Sequence, residues 1–151
     1  MTGAGGSTTS SVILRSPSPG DLAGFAEFLA ELGYPASPEA VERRLARLTE
    51  SPDVLVLAAE SSAEPVGLVT AHLVQVIHVD EPVAMLTALV VSDRHRGRGV
   101  GRLLVDAVEN WAQHRGARRV SITTGLAREG AHAFYERLGY QHTGRRYLKQ
   151  V

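Results

Sequence analysis

The sequence contains no cysteine. That excludes a disulfide, a thiolate metal site and a catalytic thiol together. It also lacks a charge excess, because 16 Lys and Arg face 16 Asp and Glu for a formal net charge of zero. A nucleic-acid binder ordinarily carries a basic surplus, so the balance argues against a nucleic-acid partner. No apolar run approaches the roughly 20 residues of a membrane span. The N-terminus shows no basic-then-apolar export pattern. These absences predict a cytoplasmic chain with no membrane partner. Residues 1–10 (MTGAGGSTTS) offer almost nothing to bury and read as a disordered tail. No repeat or linker follows, so residues 11–151 are expected to form a single domain large enough for a real core.

What is present concentrates between Met85 and Trp111. Met85 to Val91 is an apolar, β-favouring run that Ser92-Asp93 ends. Then comes Arg94-His95-Arg96-Gly97-Arg98-Gly99-Val100-Gly101-Arg102. From Val100, apolar residues recur at helical spacing through Leu103, Leu104, Ala107, Val108 and Trp111, and Gly116 stands where a C-cap glycine would. A helix start leaves its first amides unpaired and is partly positive. Glycines at alternate positions let an oxygen-rich ligand reach that backbone. The arginines 94, 96, 98 and 102 outnumber the one local acid, Asp93. A phosphate or pyrophosphate is the natural guest. The phosphate loop of nucleotide hydrolases requires a Gly-Lys-Ser/Thr ending that is missing here. The dinucleotide fingerprint requires a glycine where Arg102 stands, and too little chain follows for further βαβ units.

The rest of the chain supplies short strands and amphipathic helices. Val12 to Arg15 reads as a strand, and Asp21 as the cap of a helix through Leu32 that Gly33 stops. Ser37-Pro38-Glu39 opens a second helix ending near Glu50. Val54 to Ala59 is a buried strand, Glu60 to Glu64 a hairpin turn, and Pro65 to about Ile77 a longer strand. Short links predict that these two strands and the Met85 strand run antiparallel. Arg118 to Thr123 is a strand, and Glu129 to Leu138 a helix closed by Gly139. Tyr140 to Val151 is expected to carry one or two closing strands. The predicted order is β–α–α–β–β–β–α–β–α–β: an α/β (α+β) mixed, mostly antiparallel sheet with helices on both faces.

Arg96-x-x-Gly99-x-Gly101, set after a strand ending Leu89-Val90-Val91, resembles the acetyl-CoA loop of the GNAT superfamily of N-acetyltransferases. The run Ala131 to Tyr140, with Phe134-Tyr135 and then Gly139-Tyr140, resembles that family's late helix. The element order matches the GNAT fold from Val12 onward. The ending of the chain is also similar to small-amine acetyltransferases of the aminoalkylphosphonate type. The resemblance implies transfer of an acetyl group from acetyl-CoA, a co-substrate, to a primary amine of a small molecule. Direct attack in a ternary complex is implied, since no cysteine exists to carry the acyl group. Protein N-terminal or lysine acetylation, and a non-catalytic acyl-CoA-binding module, stay open as alternatives.

By the same resemblance, pantetheine lies along the Met85–Val91 strand, with backbone groups of Leu89 and Val91 as its partners. An amide near Val91 then polarises the thioester carbonyl as an oxyanion-hole donor. The pyrophosphate falls to Arg96, Gly97, Arg98, Gly99, Val100, Gly101 and Arg102. Tyr135 aligns with the family's general acid, and a phenol with a pKa near ~10 suits a thiolate leaving group. The family often has Asn seven residues before that tyrosine, where this chain has Arg128, a phosphate-directed charge. Glu27, Glu31, Tyr34, His72, His78, Asp80 and Glu81 are candidate general bases, each weighed against a solvated surface role and against a base acting through water. Arg145-Arg146 reads most simply as a solvated strand end, with an acidic acceptor or a CoA 3′-phosphate as functional alternatives. Trp111 reads as core and Arg118-Arg119 as a solvated pair. His95, His114, His132 and His142 show no metal-ligand spacing, so no metal is assigned. Family members often dimerise through their closing strands, which leaves a homodimer open here.

Overall fold

The computed structural model describes residues 11–123 and 129–151. The expected tail at 1–10 and Arg128 lie outside the described residues. The strands are β1 (Ile13–Arg15), β2 (Val54–Ser61), β3 (Glu64–Val74), β4 (Val83–Val91) and β5 (Arg119–Ile122). The helices are α1 (Leu22–Glu31), α2 (Pro38–Thr49), α3 (Val100–His114) and α4 (Glu129–Arg137). Among the described residues the strands form one sheet in the order β1-β2-β3-β4-β5. Every neighbouring pair is antiparallel except β4 and β5, which run parallel because α3 crosses between them. This is the expected mixed sheet.

Helices cover both faces. On one, Phe25 and Phe28 of α1 and Val41 of α2 pack with Val56, Ala58, Leu68 and Val90. On the other, Val100, Leu104, Val105 and Val108 of α3 pack with Val69, Ala71 and Leu86. Phe134 and Tyr135 of α4 and Leu138 just after it lie against that second cluster, as do Leu89, Val91 and Ile122. Alternation along β3 and β4 sends successive side chains to opposite faces, and both faces are apolar because both are covered. Trp111 is partly buried against the second cluster, with the Arg115 guanidinium 5.9 Å from its ring centroid.

Four local expectations need correction. Asp21 does not cap α1 with its side chain. Its carboxylate takes both terminal nitrogens of Arg15, at 2.7 and 2.8 Å, and the Ser18 amide at 2.8 Å. A charged partner on the neighbouring strand outcompetes the helix amides. The β2–β3 hairpin turns on Ser62 and Ala63 alone, both left-handed at φ 51° and 62°, so Glu60, Ser61 and Glu64 belong to the strands. Strand β3 stops at Val74 rather than near Ile77, whose side chain is fully exposed. No strand forms in residues 140–151. Tyr147 and Leu148 are exposed there, at 89% and 79%, so no apolar burial rewards pairing of that segment.

Candidate active site

Strand β4 has two different edges. Toward β3 it is paired from Val83 to Val91. Toward β5 it is paired only from Val83 to Leu86. Beyond Leu86 the β4–β5 pairing ends, and Thr87 to Val91 have no strand partner on that side among the described residues. That end coincides with a bulge, since Thr70 pairs with Ala88 and Ala71 with Leu86, leaving Thr87 as the extra residue. A bulge bends and twists its strand and re-aims the groups near it. This one is fastened by a hydroxyl pair: Thr70 Oγ1 and Thr87 Oγ1 lie 2.7 Å apart, and Thr87 Oγ1 donates to the Thr70 carbonyl at 3.3 Å. Either hydroxyl can donate in the shorter contact, and the Thr70 side chain is buried. A cavity of about 330 Å³ opens at this place, lined by Met85, Leu86, Thr87, Thr123 and Arg146.

The loop after β4 leads to the second part of the site. Ser92 donates its amide to the Val66 carbonyl at 2.9 Å, which fixes the strand's exit. Residues Asp93–His95 make one tight turn, with Ser92 Oγ and His95 Nδ1 sharing a hydrogen bond of 2.9 Å. Gly97 and Gly99 then adopt φ of 76° and 83°. A side chain would be strained at either position. Gly99 is the cap residue of α3 and supplies no side-chain oxygen. The first helical bond is Leu103 N–H to Gly99 O at 3.1 Å, so the amides of Val100, Gly101 and Arg102 precede the ladder. Three aligned donors at a positive helix end form an anion site.

Gly101 is glycine for a different reason. A Cβ there would sit 3.1 Å from Phe134 Cζ and 3.8 Å from Val91 Cγ2. The end of β4, the start of α3 and the ring of α4 therefore meet at one point. The sequence alone suggested that all three glycines of the loop clear space for a ligand. In the structure two bend the chain, and the third makes room for Phe134.

The arginines divide. Arg96 is engaged within the protein: it pairs with Asp93 at 2.7 Å, donates to the Val91 carbonyl at 3.3 Å and approaches Glu31 at 3.8 Å. It braces the loop against α1. Arg94, Arg98 and Arg102 are exposed and have no ion-pair partner among the described residues. They are the cations left over for a ligand. Val90 turns its buried side chain toward the α1/α2 cluster, whereas Leu89 and Val91 lie against the α3/α4 cluster.

Tyr135 sits partly buried on α4, edge-on to Phe134 at 5.2 Å and to Tyr140 at 6.0 Å. The Tyr140 hydroxyl donates to Glu109 at 2.7 Å. Burial first, and that carboxylate second, push the Tyr140 phenol above its ordinary pKa, so it stays protonated and structural. Tyr135 is thus clasped between two rings on the face where β4 opens. None of the candidate bases lines the cavity. Glu31 is drawn to Arg96 and Glu81 to Arg118, at 3.5 Å, while Tyr34 is 71% exposed. Glu27, His78 and Asp80 are exposed, and His72 is half-buried opposite Met85. The Thr70–Thr87 pair and the Phe134–Gly101 contact escaped the sequence reading, because strand register and interhelix contact have no local signal.

The free edge of β4 thus runs directly into the unpaired amides at the start of α3. The sequence profile described as Acetyltransferase (GNAT) family matches residues 20–140, and the chain belongs to that family. It is 34% identical over 90 residues to N-acetyltransferase 8 of Mus musculus, covering 60% of this chain and 40% of that one. It is 29% identical over 100 residues to the aminoalkylphosphonate N-acetyltransferase of Salmonella typhimurium, covering 66% of this chain and 65% of that one. The fold superposes on aminoglycoside N-acetyltransferase AAC(6')-Iy in complex with CoA with a TM-score of 0.81 at 20% identity, covering 94% and 95% of the two chains. The chain spans about two fifths of the length of the curated relatives first matched. No helix among the described residues is long and apolar enough to cross a membrane.

Proposed function

We propose that this protein transfers the acetyl group of acetyl-CoA to a primary amine of a small molecule by direct attack in a ternary complex. The observation that carries the reading is the unpaired Thr87–Val91 edge of β4 leading straight to the free amides of α3. An extended pantetheine arm needs a strand edge for its amides, and its pyrophosphate needs donors at the far end. Leu89, Val90 and Val91 supply that edge. The pyrophosphate rests on the backbone from Gly97 to Arg102, with Arg98 and Arg102 as its side-chain cations. Arg96 holds the loop rather than the ligand. Arg128 stays assigned to the cofactor on the family pattern alone.

The thioester then lies where the β4–β5 pairing ends. An acceptor with a pKa near ~10.4 costs roughly 4–5 kcal/mol to deprotonate at pH 7. Among the described residues the cavity lining offers no carboxylate or imidazole, and in this scheme the proton leaves through water to bulk. The neutral amine attacks the carbonyl carbon, and the developing oxyanion is met by a β4 amide beyond the bulge. Collapse breaks the C–S bond, Tyr135 gives its proton to the departing thiolate, and the proton shed by the new amide nitrogen restores the phenol. Similarity to the aminoalkylphosphonate N-acetyltransferase of Salmonella typhimurium supports a small acceptor. Residues 11–151 act as one domain in this scheme, without a metal.

The test is Tyr135→Phe, assayed by thiol release against a panel of small amines. The expected result is a fall in kcat of about a hundredfold with unchanged CoA affinity. Unchanged kcat would remove Tyr135 from the mechanism. CoA binding without release from any amine or peptide would favour a silent binding module.

A further inference from the structure

Among the described residues, the cavity at the end of the β4–β5 pairing is lined by one charged side chain, Arg146. It comes from the segment after α4, far along the chain from the loop arginines. It is exposed, and no carboxylate pairs with it among the described residues. The other described lining residues are Met85, Leu86, Thr87 and Thr123, none of which can neutralise the guanidinium. The Thr87 hydroxyl is engaged with the Thr70 hydroxyl and carbonyl, and whichever hydroxyl donates, the Thr87 oxygen keeps a lone pair able to accept.

The wall thus pairs a planar cationic fork with a hydroxyl that can receive an N–H. We infer that the acceptor is a small amine that also bears an acid group, a carboxylate, phosphate or phosphonate, which Arg146 grips while the amine lies toward Thr87. A guanidinium binds such an acid through two parallel N–H bonds, fixing its orientation as well as its charge. Orientation is what the transfer requires, since a small amine otherwise has little surface to hold. A polycationic acceptor would bring further positive charge to an uncompensated arginine, and the cavity selects against it. This rests on the acetyl-transfer reading for the position of the reacting centre.

The experiment separates the two. Binding of 2-aminoethylphosphonate, β-alanine and propylamine to the protein saturated with CoA, which cannot acetylate them, is measured by calorimetry for the wild type and Arg146→Gln. The expected result is that at least one acid-bearing amine binds better than propylamine. Arg146→Gln should then weaken that amine roughly tenfold or more, leaving propylamine and CoA itself unmoved. Arg146→Lys restores part of the loss. Failure of both acidic amines to bind overturns the inference, as does binding indifferent to Arg146. A parallel loss of CoA affinity also overturns it, by assigning the arginine to the cofactor. Acetyl-CoA turnover is read separately: an acidic amine held by Arg146 but never acetylated would keep the ligand class and sink the transfer reading. Equal turnover of all three amines by both proteins would do the reverse.

Discussion

Arg15 and Arg146 stand at opposite margins of one sheet, and their surroundings could hardly differ more. Arg15, on edge strand β1, bonds Asp21 through both terminal nitrogens and Glu60 through Nε at 3.2 Å. Asp21 is only 2% exposed, so the fork closes a charge inside the protein. Arg146, where the β4–β5 pairing ends, lines a cavity that holds no acid among the described residues. The same split separates Arg96, tied to Asp93, from Arg98 and Arg102 nearby, which are untied. An arginine with its carboxylates already in place serves the fold. An arginine left without one, beside unpaired backbone donors, is poised for an anion that the protein does not itself contain.

The sharpest way to break this comparison is to remove a cation from each side. Arg15→Met leaves the Asp21 carboxylate buried without its partner. It should cost about 3 kcal/mol of stability in denaturant unfolding, with CoA affinity unchanged. The pH dependence follows the same contact. The side-chain bonds from Arg15, ahead of the burial that opposes them, hold the Asp21 carboxyl below its ordinary range. That stabilisation is complete above the unfolded-state value near ~3.9 and is lost as pH falls through the lower folded value. Acid titration of stability should show a steeper loss below about pH 4 in the wild type than in Arg15→Met.

Thr87→Val takes the hydroxyl partner away from the buried Thr70 side chain and should cost about 1–3 kcal/mol, with a lower kcat as well if the bulge aims the reacting groups. Arg98→Gln and Arg102→Gln should do the opposite of Arg15→Met. Stability should stay within about 0.5 kcal/mol. CoA should bind several-fold more weakly, with a gentler salt dependence, since exposed charges act over about 10 Å. Smallest of all is the hairpin turn, where Ser62 and Ala63 both hold positive φ without being the residue types that tolerate it. The double substitution Ser62→Asn with Ala63→Gly should raise stability by about 1 kcal/mol in denaturant unfolding.

What was legible in the sequence was what is local. A strand, two left-handed glycines and an amphipathic helix follow one another directly, so the Val91–Gly101 junction could be read from spacing. Helix α2 likewise carries its own start, with the Ser37 hydroxyl accepting from the Ala40 amide at 3.2 Å. The misreadings came where distant chain decides. Asp21 had a cap residue's type and position, but Arg15 claimed its carboxylate. Residues 140–151 had turn chemistry and scattered apolar side chains, yet Tyr147 and Leu148 find nothing to cover them among the described residues. Within the site, the loop and its arginines were visible beforehand. The Thr70–Thr87 fastening was not, because it depends on a register that one residue of bulge sets.

The claim at the centre is that the open edge of β4 and the start of α3 receive one continuous ligand. Amide hydrogen exchange of the protein with and without saturating CoA tests it most directly. The account predicts new protection in Thr87–Val91 and in Val100–Arg102 together, with the β2–β3 hairpin unchanged. Protection confined to the loop, with β4 exchanging as before, would contradict it and leave only a phosphate site at a helix end.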